Sequence, residues 1–253
     1  MKYLIVCILF CCFNGFCENP KVINIATEEY KPFVSKDLKG NGFLARIVRE
    51  AFKSQGISVE LNIVPAARGY NMTKAGKYDG TFPWAKRKER LDHFYYGEPI
   101  LESDIEVFFY LKGTEFKWDP KKQDYNQLKG LTIGGIEGAN YGDAFTEAEK
   151  KGIIKVSRVT STAQNFKMLL NKRIDLMITP KTIAEYILHN DFIGLKSKIT
   201  QRLAIDEPVE YDYLLISKKS KHGKFFYDAM NKGLKEIKAN GAYDKILKTK
   251  NQE

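Results

Sequence analysis

The sequence predicts an α/β fold of two lobes, in which mixed sheets are flanked by helices and two extended strands form a hinge. Short β-branched runs alternate with segments of helical periodicity along 253 residues, as in α/β domains. A helix, a short turn and a strand that starts near an aspartate occur twice, at Asp79 and at Asp175. Extended runs at 105–111 and 209–217 interrupt this alternation and predict the two crossings. The predicted boundaries are residues 18–103 and 215–253 for the first lobe and residues 104–214 for the second.

The first lobe is predicted to begin with a strand at 22–26, where β-branched residues alternate with others. A helix is predicted over 43–52, because its apolar residues recur at i, i+4 and i+8 and form one face. A second strand at 59–64 leads into a helix at 65–76, and a third strand starts at Asp79. Two segments near the C-terminus return to this lobe as helices with apolar faces. These are residues 225–237 and the short segment 241–247.

The second lobe is predicted to repeat this pattern of strands and helices. Its predicted elements are a strand at 131–136, a strand at 153–156, a helix at 162–172, a strand at 174–178 and a helix at 180–188. Either Ser161 or Thr162 can cap the first of these helices, since both carry a hydroxyl that accepts a backbone N–H bond. The polar segment 112–127 predicts an irregular connection.

The net charge of +10 raises the question of nucleic acid as a partner. The lysines are interleaved with Glu and Asp along the helices, and no nucleic-acid motif is present, so we predict no nucleic acid partner. The three histidines, His93, His189 and His222, lack the spacing of a metal site, and no Gly-x-Ser-x-Gly motif occurs. We therefore expect no metal, no cofactor and no enzymatic activity.

Residues 1–17 have the pattern of a secretory signal peptide. Lys2 provides a basic start, an apolar run follows from Tyr3 to Phe13, and small residues precede a cleavage point before Glu18. All four cysteines lie in this segment, so the mature chain would have neither thiols nor disulfides. The interpretation places the protein in the periplasm. A lipid anchor on Cys17 is the alternative, but the bulky residue before it is atypical of lipoprotein cleavage.

The stretch 79–99 joins a buried strand to a cationic turn. In parallel sheets, ligands bind beyond the carboxyl ends of the strands. Arg90 follows such an end, and a guanidinium can bind a carboxylate through two parallel hydrogen bonds. The three basic residues just before it, at 86–88, are interpreted as solvated surface charges.

The order of Glu89-Arg90, Phe94 and Pro99 after an aspartate-initiated strand resembles the solute-binding proteins of polar amino-acid ABC transporters, family 3. The resemblance extends over nearly all of the chain after residue 20. It implies the periplasmic-binding-protein type 2 fold, with the ligand held between the lobes. It also implies that Arg90 binds the α-carboxylate of the ligand.

The resemblance implies further ligand contacts from the first lobe. Tyr30, in the loop after the first strand, matches an aromatic residue that stacks on the ligand, although it could equally be a packing aromatic. Arg68 follows a strand end and could face the cleft or form a surface salt bridge. Trp84 and Ala85 follow the third strand, and Trp84 could form a wall of the site or lie in the core.

In the second lobe, the resemblance assigns backbone N–H groups at Gly138, Ala139 and Asn140 to the ligand carboxylate, at a helix N-terminus. The family usually has a hydroxyl residue where this chain has Ala139. A second departure is Pro180, which stands where amino-acid binders have an aspartate for the α-ammonium. Three other acids could substitute, and the sequence does not choose among them: Glu137, Asp206 and Asp212.

The sequence therefore predicts a monomeric protein that captures a small carboxylate-bearing solute and delivers it to the permease of an ABC transporter. Recognition of an amine is either moved elsewhere or lacking, because Pro180 offers neither a charge nor an N–H group. Two alternatives stay open: a lyase or dehydratase on the same fold, and a sensor that presents the solute to a receptor.

Overall fold

The structure, a computed structural model, describes residues 20–139, 141–206 and 210–250. The predicted signal peptide and Asn140 lie outside the described residues. A six-stranded sheet has the order β2-β1-β3-β11-β4, with β5 paired to β11. Its strands are β1 (Val22–Thr27), β2 (Ser58–Ile63), β3 (Gly80–Ala85), β4 (Phe94–Tyr96), β5 (Leu101–Glu102) and β11 (Tyr211–Ser217). Its helices are α1 (Phe43–Lys53), α2 (Ala66–Lys74), α6 (Gly223–Ala239) and α7 (Ala242–Lys248).

A five-stranded sheet with the order β10-β6-β9-β7-β8 is formed by the middle of the chain. Its strands are β6 (Glu106–Leu111), β7 (Thr132–Ile136), β8 (Lys155–Val159), β9 (Leu176–Pro180) and β10 (Ile199–Leu203). Its helices are α3 (Asp143–Lys150), α4 (Thr162–Leu170) and α5 (Lys181–Asn190). Both sheets mix parallel and antiparallel pairs and are flanked by helices, which confirms the predicted fold class.

The core of the first sheet depends on the close packing of α1 against α6. One face of α1 is buried, including Phe43, Ile47 and Phe52, as its apolar periodicity predicts. Gly233 of α6 allows the helices to approach, because a Cβ at that position would overlap the carbonyl of Ala51.

The two sheets are built alike, and the repeated aspartate is the clearest sign of this. The Asp79 carboxylate accepts the N–H of Asn24 at the start of β1, at 2.9 Å. The Asp175 carboxylate accepts the N–H of Thr132 at the start of β7, at 2.8 Å. Each aspartate N–H also donates to the carbonyl of the same partner residue. The repeated sequence pattern therefore corresponds to the same pair of hydrogen bonds in both sheets. In each sheet, this pair joins the third strand of the parallel group to the first.

The structure differs from the predicted elements in several strands and at one predicted lobe boundary. The edge strand β10 was not predicted, because its polar residues obscure the alternation typical of strands. β8 lies two residues later than expected and ends at Val159, and β9 extends to Pro180. The predicted lobe boundary at 214/215 falls inside β11, which pairs with β3, β4 and β5 of the first sheet. We therefore propose a boundary just before Tyr211. Within the described parts of the chain, no helix is long and apolar enough to cross a membrane.

Candidate ligand-binding cleft

Arg90 lies in a short 3-10 turn, Lys88–Arg90, just beyond the end of β3. Its Nη1 donates to the carbonyl of Ala85 at 2.8 Å, so the last residue of the strand fixes the guanidinium. The side chain is partly buried, and it makes no ion pair with any carboxylate in the described part of the chain. The nearby Arg87 differs, because it is exposed and lies 3.5 Å from a carboxylate oxygen of Glu210.

Two aromatic rings support the Arg90 guanidinium. Its Cζ lies 4.9 Å from the ring centre of Trp84 and 5.6 Å from that of Tyr70. Trp84 is partly buried, and its indole N–H donates to the Thr81 hydroxyl at 3.0 Å. The tryptophan therefore has its polar partner and a face against the arginine. The Ala85 carbonyl oxygen accepts the hydrogen bond from Arg90, so it is already engaged within the protein.

Tyr30 lies in the loop after β1, stacked on Phe33 with ring centres 4.8 Å apart. Backbone hydrogen bonds in both directions between Tyr30 and Val34 fix this loop. Burial raises the pKa of the Tyr30 phenol, and four nearby carboxylates raise it further: Asp104, Asp212, Glu106 and Glu28. Tyr30 thus faces an acidic environment made by both sheets and the segments that join them.

Three of these acids are largely buried: Asp104, Glu106 and Asp212. The ammonium of Lys250 partly offsets the effect of burial on the pKa of Asp104, whereas no basic residue of the described chain does so for Glu106 or Asp212. Burial raises the pKa of Glu106 to about 7, with a further contribution from Asp104. Burial also raises the pKa of Asp212 to about 6, in spite of a hydrogen bond from Ser103. Asp104 accepts the backbone N–H of Thr182 at 2.8 Å and its hydroxyl at 3.1 Å, so it caps the start of α5.

Glu106 stands directly opposite Pro180 in the antiparallel pair of β6 and β9. Side chains at directly opposed positions lie on the same face of a sheet, with Cβ atoms about 5 Å apart. Oε2 of Glu106 is buried and has no hydrogen-bond partner among the described residues. A carboxylate is therefore present beside Pro180, the position at which the resemblance implies an aspartate. Glu106 does not stand out in the sequence, because it is the first residue of an otherwise apolar strand.

The other acids considered as substitutes are placed differently. Asp212 belongs to the acidic group around Tyr30. Glu137 is exposed, and Asp206 lies 3.7 Å from the ammonium of Lys121 at the surface. Of the three acids named from the sequence, only Asp212 is among the carboxylates that raise the Tyr30 pKa.

Arg68 lies exposed in the first turn of α2 and makes no ion pair with a described residue. The structure does not join it to Arg90 or Trp84 by any contact. The surface salt bridge considered as the alternative is therefore not formed with a described residue, and a role of the exposed Arg68 guanidinium in the cleft stays a prediction.

The turn after β7 places Gly138 in a left-handed conformation with φ of 74°, which favours glycine. The N–H of Ala139 donates to the Ile136 carbonyl at 3.2 Å, so it is already engaged. Helix α3 begins only at Asp143, whose own carboxylate lies in the first turn. A negative charge there opposes anion binding at this helix end, so the predicted link between this turn and a helix N-terminus is weaker than expected.

In the described residues, no three His, Cys, Asp or Glu side chains approach closely enough to hold a metal ion. Among the described residues, Arg90 has no carboxylate partner and the buried carboxyls of Glu106 and Asp212 have no basic partner, in a chain built of two similar α/β sheets. This arrangement defines the class of two-lobed, ligand-binding proteins.

The chain belongs to the bacterial extracellular solute-binding proteins, family 3, whose profile matches residues 23–250. This is a family of binding proteins rather than enzymes, and it confirms the resemblance noted from the sequence. Its members work outside the cytoplasm. No curated protein matches the sequence.

Solved structures agree in fold. The second substrate-binding domain of Lactococcus lactis GlnP, in an open conformation, is 20% identical, with a TM-score of 0.67 over 92% of this chain and 96% of that chain. The second substrate-binding domain of an amino acid ABC transporter from Streptococcus pneumoniae is 20% identical, with a TM-score of 0.66 over 90% and 99%. An ancestral cationic amino acid solute-binding protein is 21% identical, with a TM-score of 0.70 over 91% and 95%. Identities this low show the fold alone.

Proposed function

We propose that this protein captures a small solute that carries both a carboxylate and a cationic group, as an amino acid does, between the two sheets. The observation that carries the proposal is Arg90, which the Ala85 carbonyl and two aromatic rings hold in place without a counter-ion among the described residues. A guanidinium fixed in this way is prepared for a carboxylate, because its planar fork matches the two oxygens.

The cationic group of the solute binds near Glu106 and Asp212. Both carboxylates are largely buried, and burial of an uncompensated negative charge is unfavourable. A cation between them removes this penalty, and the Tyr30 ring offers a face that also attracts cations. The amine site is thus moved from position 180 to its cross-strand neighbour, Glu106.

Delivery to an ABC transporter permease in the inner membrane is the role we propose for the loaded protein. It is supported by membership of the solute-binding family and by similarity to substrate-binding domains of amino acid ABC transporters. We propose further that the protein acts as a monomer in the periplasm, after removal of residues 1–17. In this proposal the ligand bridges the two sheets and favours the closed arrangement, because only that arrangement lets both groups of residues contact it.

A thermal-shift screen of the purified mature chain against amino acids, amines and small carboxylates tests the proposed ligand class. At 100 times its dissociation constant, a bound solute adds about 2.7 kcal/mol to the free energy of unfolding. We expect the largest shifts from solutes that carry both charges. Larger shifts from carboxylates without an amine would contradict the cationic half of the proposal.

Substitution of Arg90 tests the carboxylate half. Arg90→Ala should weaken binding about 10- to 150-fold, since a hydrogen bond to a charged group contributes roughly 1.5–3 kcal/mol. Arg90→Lys should restore only part of the affinity, because lysine cannot form the fork. Calorimetry with the solute from the screen measures both effects.

The matched control is Arg87→Ala, which removes an exposed arginine from the same turn. It should leave affinity within about twofold of the parent, as expected for a surface charge. If Arg90→Ala binds as tightly as the parent, Arg90 is not in the site and the carboxylate proposal is wrong.

A further inference from the structure

Arg158 lies on β8, directly opposite Gly135 of the parallel neighbour β7. Beyond Gly135 the chain leaves the sheet in the turn 136–139, at the carboxyl end of β7, where ligands of α/β sheets bind. The side chain of Arg158 is about 28% exposed, and that of its partner Glu149 on α3 is about 30% exposed. Arg158 thus joins three elements: its own strand, the turn after β7, and helix α3.

The Arg158 guanidinium donates four hydrogen bonds within the protein. Its Nε and Nη2 donate to the two carboxylate oxygens of Glu149, at 3.1 and 2.7 Å. Its Nη1 donates to the carbonyls of Ile136, at 2.9 Å, and Ala139, at 3.2 Å. These two carbonyls mark the beginning and the end of the turn, so a single guanidinium group spans it. Because four of its five N–H donors are occupied within the protein, Arg158 is not itself placed to hold a carboxylate through a two-pronged pair.

Tyr141 completes the arrangement from the other side of the turn. Its hydroxyl accepts the N–H of Ile136 at 2.8 Å, and its ring lies 5.8 Å from the guanidinium carbon of Arg158. The ring packs so closely on β7 that a Cβ at Gly135 would lie 3.2 Å from it. Side chains therefore fix both backbone polar groups of Ile136: Tyr141 accepts from its N–H, and Arg158 donates to its carbonyl.

We propose that Arg158 is a positioning residue that sets the conformation of the turn 136–139, with Glu149 as the group that orients its fork. Where the proposed function applies, this turn presents a further part of the second lobe to the ligand, in addition to Glu106. The role of Arg158 in fixing the turn does not depend on that function, and it is testable without any ligand.

Hydrogen exchange, measured by NMR on the ligand-free chain, tests the proposal. The amides of Ile136 and Ala139 report directly, because one donates to Tyr141 and the other closes the turn. Arg158→Lys keeps the charge but loses the fork, and should speed exchange at both amides about tenfold. Glu149→Gln keeps the shape of the partner and should give a smaller increase, about two- to threefold, at the same amides.

The matched control is Arg202→Lys on β10, at the opposite edge of the same sheet. Arg202 also stacks on an aromatic ring, 4.9 Å from that of Phe116, and donates to a backbone carbonyl. It should leave exchange in the turn unchanged. A purely structural role of Arg158 would instead raise exchange across the sheet, including β6 and β10.

The proposal fails if neither Arg158→Lys nor Glu149→Gln changes exchange at Ile136 and Ala139, or if the increase spreads evenly over the lobe. A second readout links the turn to binding. With the amino acid that gives the largest thermal shift, Arg158→Lys should weaken affinity at least threefold while Arg202→Lys leaves it unchanged. An absence of any binding solute would defeat the proposed function, but the exchange result would still decide the role of Arg158.

Discussion

Glu106 is the buried side chain on which the proposed cationic group of the ligand chiefly depends. It begins a strand that otherwise buries Val107, Phe108 and Phe109, and its Oε2 has no partner among the described residues. An unpaired buried carboxylate is costly unless it is protonated or meets a cation. Burial raises the pKa of Glu106 to about 7, so in the ligand-free protein protonation removes this cost increasingly as the pH falls below that value. A cationic ligand provides the other solution.

The raised pKa of Glu106 predicts that stability depends on pH. The folded protein binds this proton more tightly than the unfolded chain, whose glutamate pKa is near 4.5. The favourable contribution is complete below pH 4.5 and is lost as the pH rises through about 7, by at most about 3 kcal/mol. Glu106→Gln should therefore lose less stability than the parent over this range, as measured by urea unfolding of the ligand-free protein.

The exposed Glu137→Gln is the control for Glu106→Gln, and it should follow the parent curve. Equal pH dependence in Glu106→Gln and the parent would show that the Glu106 carboxyl is not titrating in this range. The same titration affects binding, because a cationic solute requires the ionised form. Affinity for such a solute should rise between pH 5.5 and 8.

At the scale of elements, the two aspartates that begin β3 and β9 carry out the same task in the two sheets. Each carboxylate accepts an N–H from the first strand of its own parallel group. Asp79 accepts an additional hydrogen bond, from the hydroxyl of Ser220 at 2.6 Å. The first sheet therefore depends on its aspartate for one more contact than the second sheet does.

This difference predicts an order of stabilities. Asp175→Ala should lower the free energy of unfolding by about 1–3 kcal/mol, the cost of leaving a partly buried N–H without its charged acceptor. Asp79→Ala should lower it by more, because two donors lose their acceptor. Urea denaturation, followed by circular dichroism, measures both. Asp92→Ala removes an exposed aspartate near β4 and should change stability by less than about 0.5 kcal/mol. A greater loss in Asp175→Ala than in Asp79→Ala would contradict this account.

At the scale of the whole molecule, two crossings connect the sheets, and we propose that the sheets move relative to each other about them. The chain passes from the first sheet to the second between β5 and β6, and it returns before β11. The acids near Tyr30 lie along these crossings, at Asp104, Glu106 and Asp212. Cleft closure would therefore act where the proposed amine group binds.

Closure predicts a smaller radius of gyration in the presence of ligand. Small-angle scattering of the ligand-free protein and of the protein saturated with the solute from the screen measures the change directly. Arg90→Ala is the control: at a solute concentration about ten times the dissociation constant of the parent, it should be bound at half occupancy or less and show a correspondingly smaller decrease in radius. An unchanged radius for the saturated parent, together with a ligand-free curve that already fits a closed form, would exclude closure on binding.

Export is the last property predicted for the whole chain. Intact-mass measurement on protein recovered from the periplasm should give a chain that begins at Glu18, because the small residues before it favour cleavage there. A mass that begins at Met1 would contradict removal of the signal peptide. A mass increased by lipid on Cys17 would instead support the anchored alternative.

The sequence by itself determined the order of the helices and of most strands, the repeated aspartates, and the choice of Arg90 as a candidate. These features depend on local periodicity and on residues near one another in the chain, which a single sequence records. The short polar strand β10 escaped prediction because its stability comes from pairing with β6 and not from its own pattern.

Only the tertiary structure decided which residues meet. Glu106 and Pro180 are opposed through the register of β6 and β9, and Arg158 reaches the turn at 136–139 because β8 lies beside β7. The placement of Asp212 among the acids near Tyr30 likewise follows from the return of β11 to the first sheet. Such contacts depend on sheet register and strand order, and a shift of one residue would turn each side chain to the other face. That is the physical reason why the charge partners of the site could not be identified from the sequence.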